Sequence, residues 1–139
     1  MDENLVAIER FIGKHHLLTL ATYGERLWCC SMFYAYDAEN IALIVASDPQ
    51  TQHMQNIVLN TEVAGTIALE TKIVGKIEGI QFRAQMTLSE ERRETTLYMK
   101  HFPYALAMNP TLWSIRLSEI KLTDNTLGFG KKLSWKRPL

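Results

Sequence analysis

From Ile80 to Leu88 the chain alternates strictly: Ile80, Phe82, Ala84, Met86 and Leu88 are apolar, and Gln81, Arg83, Gln85 and Thr87 are polar. A period of two predicts a strand with one buried and one wet face. Nearer the start, Leu5, Ile8 and Ile12, with Phe11 beside them, recur at helical spacing. Asp2 is placed to cap that helix and Gly13 to stop it. The segments "HLLTLATY", "LWCCSMFYAY" and "IALIVAS" predict three successive strands. A turn falls around Gly24-Glu25 between the first two, and a hairpin turn at Asp37-Ala38-Glu39-Asn40 precedes the third. The second segment is apolar or aromatic on both faces, which predicts a strand covered on both sides.

Further on, "QNIVLN" predicts a helix and "EVAGTIAL" a strand, in which Gly65 marks a bend or a close approach. "TKIVGK" reads as a turn or short strand. Ser89 with Glu90 and Glu91 predicts a helix start, and Pro103 a helix end. "PYALAMNP" is a short helical piece, "LWSIRLSEIKLTD" a strand, and "NTLGFGKKLSW" a glycine-bearing turn leading to a last short strand. There is no internal repeat, low-complexity tract or linker, so residues 1–139 read as one domain. At least six strands joined mostly by short turns predict an antiparallel barrel with peripheral helices.

Composition narrows the function classes. Hydrophobic residues make up 47% and charged residues 22% of the 139, as in ordinary globular domains. Fifteen basic and fifteen acidic residues cancel, which removes the electrostatic case for nucleic acid or an anionic membrane as the main partner. No apolar run is long enough to span a bilayer, and "MDENLVAIERF" is unlike a signal peptide, so a cytoplasmic protein is expected. Cys29 and Cys30 are adjacent. On a strand they point to opposite faces, which argues against a disulfide. A vicinal disulfide or reactive thiol is the sharper alternative to two inert cysteines.

The stretch "ASDPQTQHM", residues 46–54, joins an apolar strand to a helix. Asp48 as N-cap and Pro49 at the first helical position explain it as structure alone. Yet a helix start with Thr51 and His53 beside it is also a ready anion site. Against that reading, Asp48 is itself an anion and no Lys or Arg stands in the turn.

Other candidates carry two readings as well. Gln81, Arg83 and Gln85 form either the wet face of a half-buried strand or a polar stripe that reaches a ligand or partner subunit. In "GFGKKLSW", Lys131, Lys132 and Trp135 are either surface and packing residues or neighbours of a planar cofactor. The four histidines lack metal-ligand spacing, and no HExxH, CxxC, P-loop, GxGxxG or GxSxG pattern occurs. No zinc site is expected.

Taken together, "WCCSMFYAYD", "VAGTIA", "IQFRAQ" and above all "IRLSEIKLTDNTLGFGKKLSW" resemble the pyridoxamine-phosphate-oxidase-like FMN-binding split barrels, and within them a small uncharacterised branch, the YhbP-like proteins. The resemblance covers nearly the whole chain. It implies a six-stranded antiparallel Greek-key split β-barrel that forms a homodimer, with FMN at two sites where the subunits meet. By position, it puts Ser47, Thr51 and His53 at the flavin phosphate and Ser31 near the flavin ring. It brings Gln81 and Arg83, or Lys131 and Trp135, from the partner subunit. The basic residues with which the oxidase itself grips its substrate phosphate have no clear counterparts, so vitamin-B6 oxidation is not expected.

Two functions follow. The first is an FMN-dependent oxidoreductase acting on a small organic molecule. No side chain stands out as its acid or base; Tyr34, Tyr36 and His53 are candidates by residue type only. The second is a non-catalytic split-barrel dimer that binds another small ligand or has lost the flavin.

Overall fold

The computed structural model describes residues 2–139. Asp2 caps helix α1 (Glu3–Lys14) as its position implies: its carboxylate accepts from the backbone N–H groups of Asn4 and Leu5. The helix runs one residue past Gly13 and ends at Lys14. Ile8, Phe11 and Ile12 are buried against the sheet and close one side of the core.

Eight strands build one sheet: β1 (Leu17–Tyr23), β2 (Leu27–Phe33), β3 (Ala35–Asp37), β4 (Ala42–Ala46), β5 (Glu62–Ala68), β6 (Glu78–Leu88), β7 (Leu112–Asp124) and β8 (Lys132–Lys136). All pairings are antiparallel, in the order β2-β1-β5-β6-β7-β4-β3, with β8 on the second half of β7. The resemblance implied six strands and the sequence at least six, and the difference has a clear origin. The run "LWCCSMFYAY" divides at Tyr34, whose N–H donates to the His16 carbonyl. Its first part pairs with β1 and its last with β4. The path therefore starts and ends on one continuous stretch of chain, so the sheet curls back on itself as a split barrel. β8 adds the eighth strand.

The barrel interior holds Leu18, Leu20, Leu43, Val45, Phe82, Met86, Ile115, Ile120 and Trp135, among others. The alternation of β6 is borne out from Ile80 to Met86; Leu88 is 48% exposed, where the strand leaves the core. Strand β2 departs from expectation: most of its residues are exposed rather than covered on both sides. Helix α3 (Arg92–His101) packs outside, where Tyr98 joins Ala35, Ala42, Ile44 and Leu112 in a second cluster. Ser89 does not cap it directly. Its hydroxyl instead donates to Glu94, and Glu91 takes the N-cap position. "TKIVGK" forms a turn of 3-10 helix at Val74–Lys76, and "PYALA" another at Pro103–Ala107. No helix among the described residues is long and apolar enough to cross a membrane.

Candidate functional site

Strand β4 runs into Ser47, whose N–H donates to the Thr111 carbonyl and extends the pairing toward β7. The turn then reverses on Asp48. One oxygen of its carboxylate accepts from Gln50 N–H at 2.8 Å, and its carbonyl accepts from both Thr51 N–H and the Thr51 hydroxyl. Asp48 is thus spent on a local turn. Helix α2 (Gln52–Leu59) begins three residues later than the Asp48-Pro49 signal implies, with Thr51 as N-cap. The side chain of that cap makes no bond to the backbone N–H groups of the helix, and no acid lies in the first turn. The positive end of α2 is left without an internal anion.

His53 stands at this helix start. Its Nε2 lies 2.6 Å from Ser47 Oγ and 3.1 Å from Thr51 Oγ1. The Thr51 proton goes to the Asp48 carbonyl, so Thr51 can only accept from His53. Either Nε2–H is shared by the two hydroxyl oxygens, or Nε2 accepts the Ser47 proton. Burial pushes the His53 pKa below its ordinary value, which keeps the ring neutral at pH 7. The indole N–H of Trp113 donates to the Ser47 carbonyl at 3.2 Å and pins the turn from the β7 side. The far side is fixed by buried Asn56. It donates to Thr22 Oγ1 and the Arg26 carbonyl, and it accepts from Glu25 N–H, which ties α2 to the β1–β2 turn. Asn56 gave no signal in the sequence, because its partners lie some thirty residues away.

The other candidates lie on the outer face of the sheet. Strand register sets Ser31 opposite Thr19, Thr19 opposite Thr66, Thr66 opposite Gln81, and Gln81 opposite Lys121. Ser31 and Gln81 therefore share one exposed polar row across β2, β1, β5, β6 and β7. Arg83 is in the next row, between Glu62 and Glu119 at 3.8 Å each. Gln81, Phe82, Arg83, Glu119 and Lys121 line a shallow cavity of about 190 Å³. Lys131 is exposed in the turn before β8. Trp135 is 6% exposed, sits in the core and carries the Arg137 guanidinium over its ring. Within one chain, hydrogen bonds join Ser47, Thr51 and His53, while Ser31, Gln81 and Arg83 occupy the sheet face. Tyr34 and Tyr36 donate to the Ile12 carbonyl and to Glu9, and burial holds both hydroxyls protonated. Both cysteines are free; burial, and then the neighbouring Cys29, push the Cys30 thiol up to about 11.

No family profile matches the chain. It is 44% identical over 137 residues to a UPF0306 protein of Cronobacter sakazakii, covering 96% of this chain and 95% of that one. It is 41% identical over 139 residues to the UPF0306 protein YhbP of Salmonella paratyphi C, covering 97% and 95%. Among solved structures, a heme binding protein of Mycobacterium smegmatis superposes with a TM-score of 0.79 at 12% identity, over 98% of this chain and 59% of that one. A FAD-binding protein of Mesorhizobium loti gives 0.72 at 8% identity, over 95% and 94%. HutZ, the heme storage protein of Vibrio cholerae, gives 0.68 at 15% identity, over 81% and 89%. These neighbours share the split-barrel fold. With relatives this similar over almost its full span, the chain belongs to the UPF0306 family, the group that includes YhbP.

Proposed function

We propose that this protein is a homodimeric flavin-binding split barrel that holds the phosphate of FMN at the start of α2. The observation that carries the reading is the convergence of Ser47, Thr51 and His53 on one another at a helix start whose backbone N–H groups receive no capping bond from the Thr51 side chain. With His53 Nε2–H shared by the two hydroxyl oxygens, the Ser47 proton and the first N–H groups of α2 are left to donate to a phosphate. The similarity in fold to a FAD-binding protein supports a flavin. When bound, the flavin supplies electron transfer to or from a small organic molecule. The chain's own residues would anchor the phosphate, orient the ring beside Ser31 and present Gln81, Arg83 and Lys131 across the dimer. Leu17, Leu27 and Phe33 are 51%, 74% and 59% exposed on the outer face of β1 and β2, around Ser31. An apolar rim of that kind is suited to a subunit interface.

One observation favours a second reading. The turn contains no Lys or Arg, and His53 is neutral. Together with the likeness to a heme binding protein, this supports a non-catalytic dimer that carries another planar ligand. A visible absorption spectrum of the purified protein, followed by titrations with FMN and with haem, separates the two. Saturable quenching of flavin fluorescence supports the first. A haem absorption band with no flavin saturation supports the second.

A further inference from the structure

On the outer face of the sheet, where β5, β6 and β7 run side by side, lies a cavity of about 380 Å³. Its floor is Thr66, Ala68, Gly79, Gln81 and Thr123, and Leu69 and Ile77 wall one end. We propose that this cavity binds an aromatic carboxylate, the ring on Ala68 and Gly79 and the carboxylate at Lys121 and Lys132, as the reaction partner of the flavin. That role rests on the proposed flavin at the dimer, across which Gln81 is presented; the binding itself does not.

Strand register builds the site. Gln81 lies between Thr66 and Lys121, and Gly79 between Ala68 and Thr123. Thr123 is in turn opposite Lys132 on β8. Residues two apart on a strand share a face, so Lys121 and Lys132 both flank Thr123 on the outward side, along the β7–β8 border of the cavity. Gly79 has no side chain and Ala68 only a methyl group, which leaves a flat floor for a ring. Leu69 and Ile77 are 38% and 41% exposed and offer that ring an apolar edge.

The charges favour an anion. Among the described residues neither lysine is in an ion pair. Glu119, in the next outward row, is taken up by Arg83 at 3.8 Å and Lys136 at 4.0 Å. Glu78 stands at the edge of the cavity, but it is in the inward phase of β6 and also lines a separate cavity with Arg10 and Lys14 of α1. Asp124, opposite Glu78, accepts from the Thr126 N–H. Glu70, exposed beyond Leu69, is the nearby opposing charge. Two ammonium groups, the Thr123 hydroxyl and the Gln81 amide are donors from which a carboxylate accepts. No guanidinium or helix start lines the cavity, so a singly charged head is favoured over a phosphate.

The test is a titration of 2-naphthoate into the 15N-labelled full-length protein, alone and then with FMN, followed by the backbone amide signals. Saturable shifts are expected at Thr66, Gly79, Gln81 and Thr123. The uncharged 2-naphthylmethanol should bind about fivefold more weakly, and K121Q/K132Q should remove that preference. No saturation, shifts centred elsewhere, or equal affinity for the acid and the alcohol overturns the site. T51V/H53A should weaken FMN and leave naphthoate binding as in the parent, so the two sites fail separately. With FMN bound, naphthoate should also shift the visible absorption band of the flavin. A band that does not move, or FMN that never saturates, overturns the role beside the flavin, while naphthoate that fails to bind a flavin-loaded protein overturns the site alone.

Discussion

His53 Nε2 lies 2.6 Å from Ser47 Oγ, joining the last residue of the β4 pairing to the first turn of α2. This contact places an imidazole and a hydroxyl on the same point of a turn that holds no Lys or Arg. If the pair grips FMN, replacing Thr51 with Val and His53 with Ala together should weaken FMN binding by about 1–3 kcal/mol, the scale of lost hydrogen bonds to a charged group. Fluorescence quenching of the flavin measures it. An unchanged dissociation constant would move the phosphate elsewhere.

The same ring sets a pH dependence. Burial lowers the pKa of His53 in the folded chain below the ordinary 6.5. As pH falls through 6.5, the unfolded chain takes up a proton that the folded ring refuses. Stability is therefore lost as pH falls toward the lowered value and is fully present above 6.5. Denaturant midpoints measured between pH 5 and 8 should fall on the acid side, and His53→Gln should flatten that slope. Bound phosphate should act in reverse and raise the ring's pKa, read from its NMR titration. A His53 pKa that FMN leaves unmoved would contradict contact.

A second acid-sensitive point lies at the hairpin before β4. Asp37 is 1% exposed and receives two hydrogen bonds from Arg93, at 2.5 and 2.7 Å. Burial alone would push its pKa up; the Arg93 hydrogen bonds and charge outweigh that and hold it down to about 2. Its contribution to stability is present above about 3.8 and is lost as pH falls from there toward 2. Asp37→Asn should lower the melting temperature at neutral pH and reduce the acid sensitivity below pH 4. Equal acid slopes in the two proteins would show that the pair is not responsible.

Gly65 sits where β1, β5 and β6 press together. A Cβ there would lie 2.4 Å from the Thr19 carbonyl oxygen and 2.5 Å from Phe82 Cζ. Gly65→Ala should destabilise by about 1–3 kcal/mol, the cost of overpacking a filled core. Urea denaturation reads the change, and a midpoint equal to the parent's would mean that the strands have room to part.

Much of this architecture was legible along the chain, and the failures have physical causes. The alternation from Ile80 to Met86 gave β6 its buried face because one side of that strand meets the core along its length. The apolar run 27–33 misled, because Leu27 and Phe33 lie on the exposed face of the sheet while Met32, with Cys30 beside it, reaches the core. The start of α2 shifted because the Asp48 carboxylate closes a turn on Gln50 before it can cap a helix. Gly65 announced the close approach that the structure contains. The Asp37–Arg93 pair gave no signal, since fifty-six positions separate its members and only the docking of α3 brings them together. Trp135 was expected near a planar cofactor by its place in the terminal motif. On β8 its side chain takes the inward phase and fills the core, while Lys131 is exposed in the turn before the strand.

The proposed dimer rests on the outer face of β1 and β2. Phe33→Asp should shift the protein toward monomer in light scattering coupled to size exclusion, with the far-ultraviolet circular dichroism unchanged. A parent protein that is monomeric at all concentrations would contradict the interface.

The central claim is that the start of α2 anchors a flavin through its phosphate. Parallel titrations with FMN and with riboflavin, which lacks the phosphate, test it most directly. FMN should bind at least about tenfold tighter, or 1.4 kcal/mol, and His53→Ala should remove most of that difference. Equal affinity for the two flavins, or saturation by neither, would contradict the anchor and return residues 46–54 to the role of a turn that starts a helix.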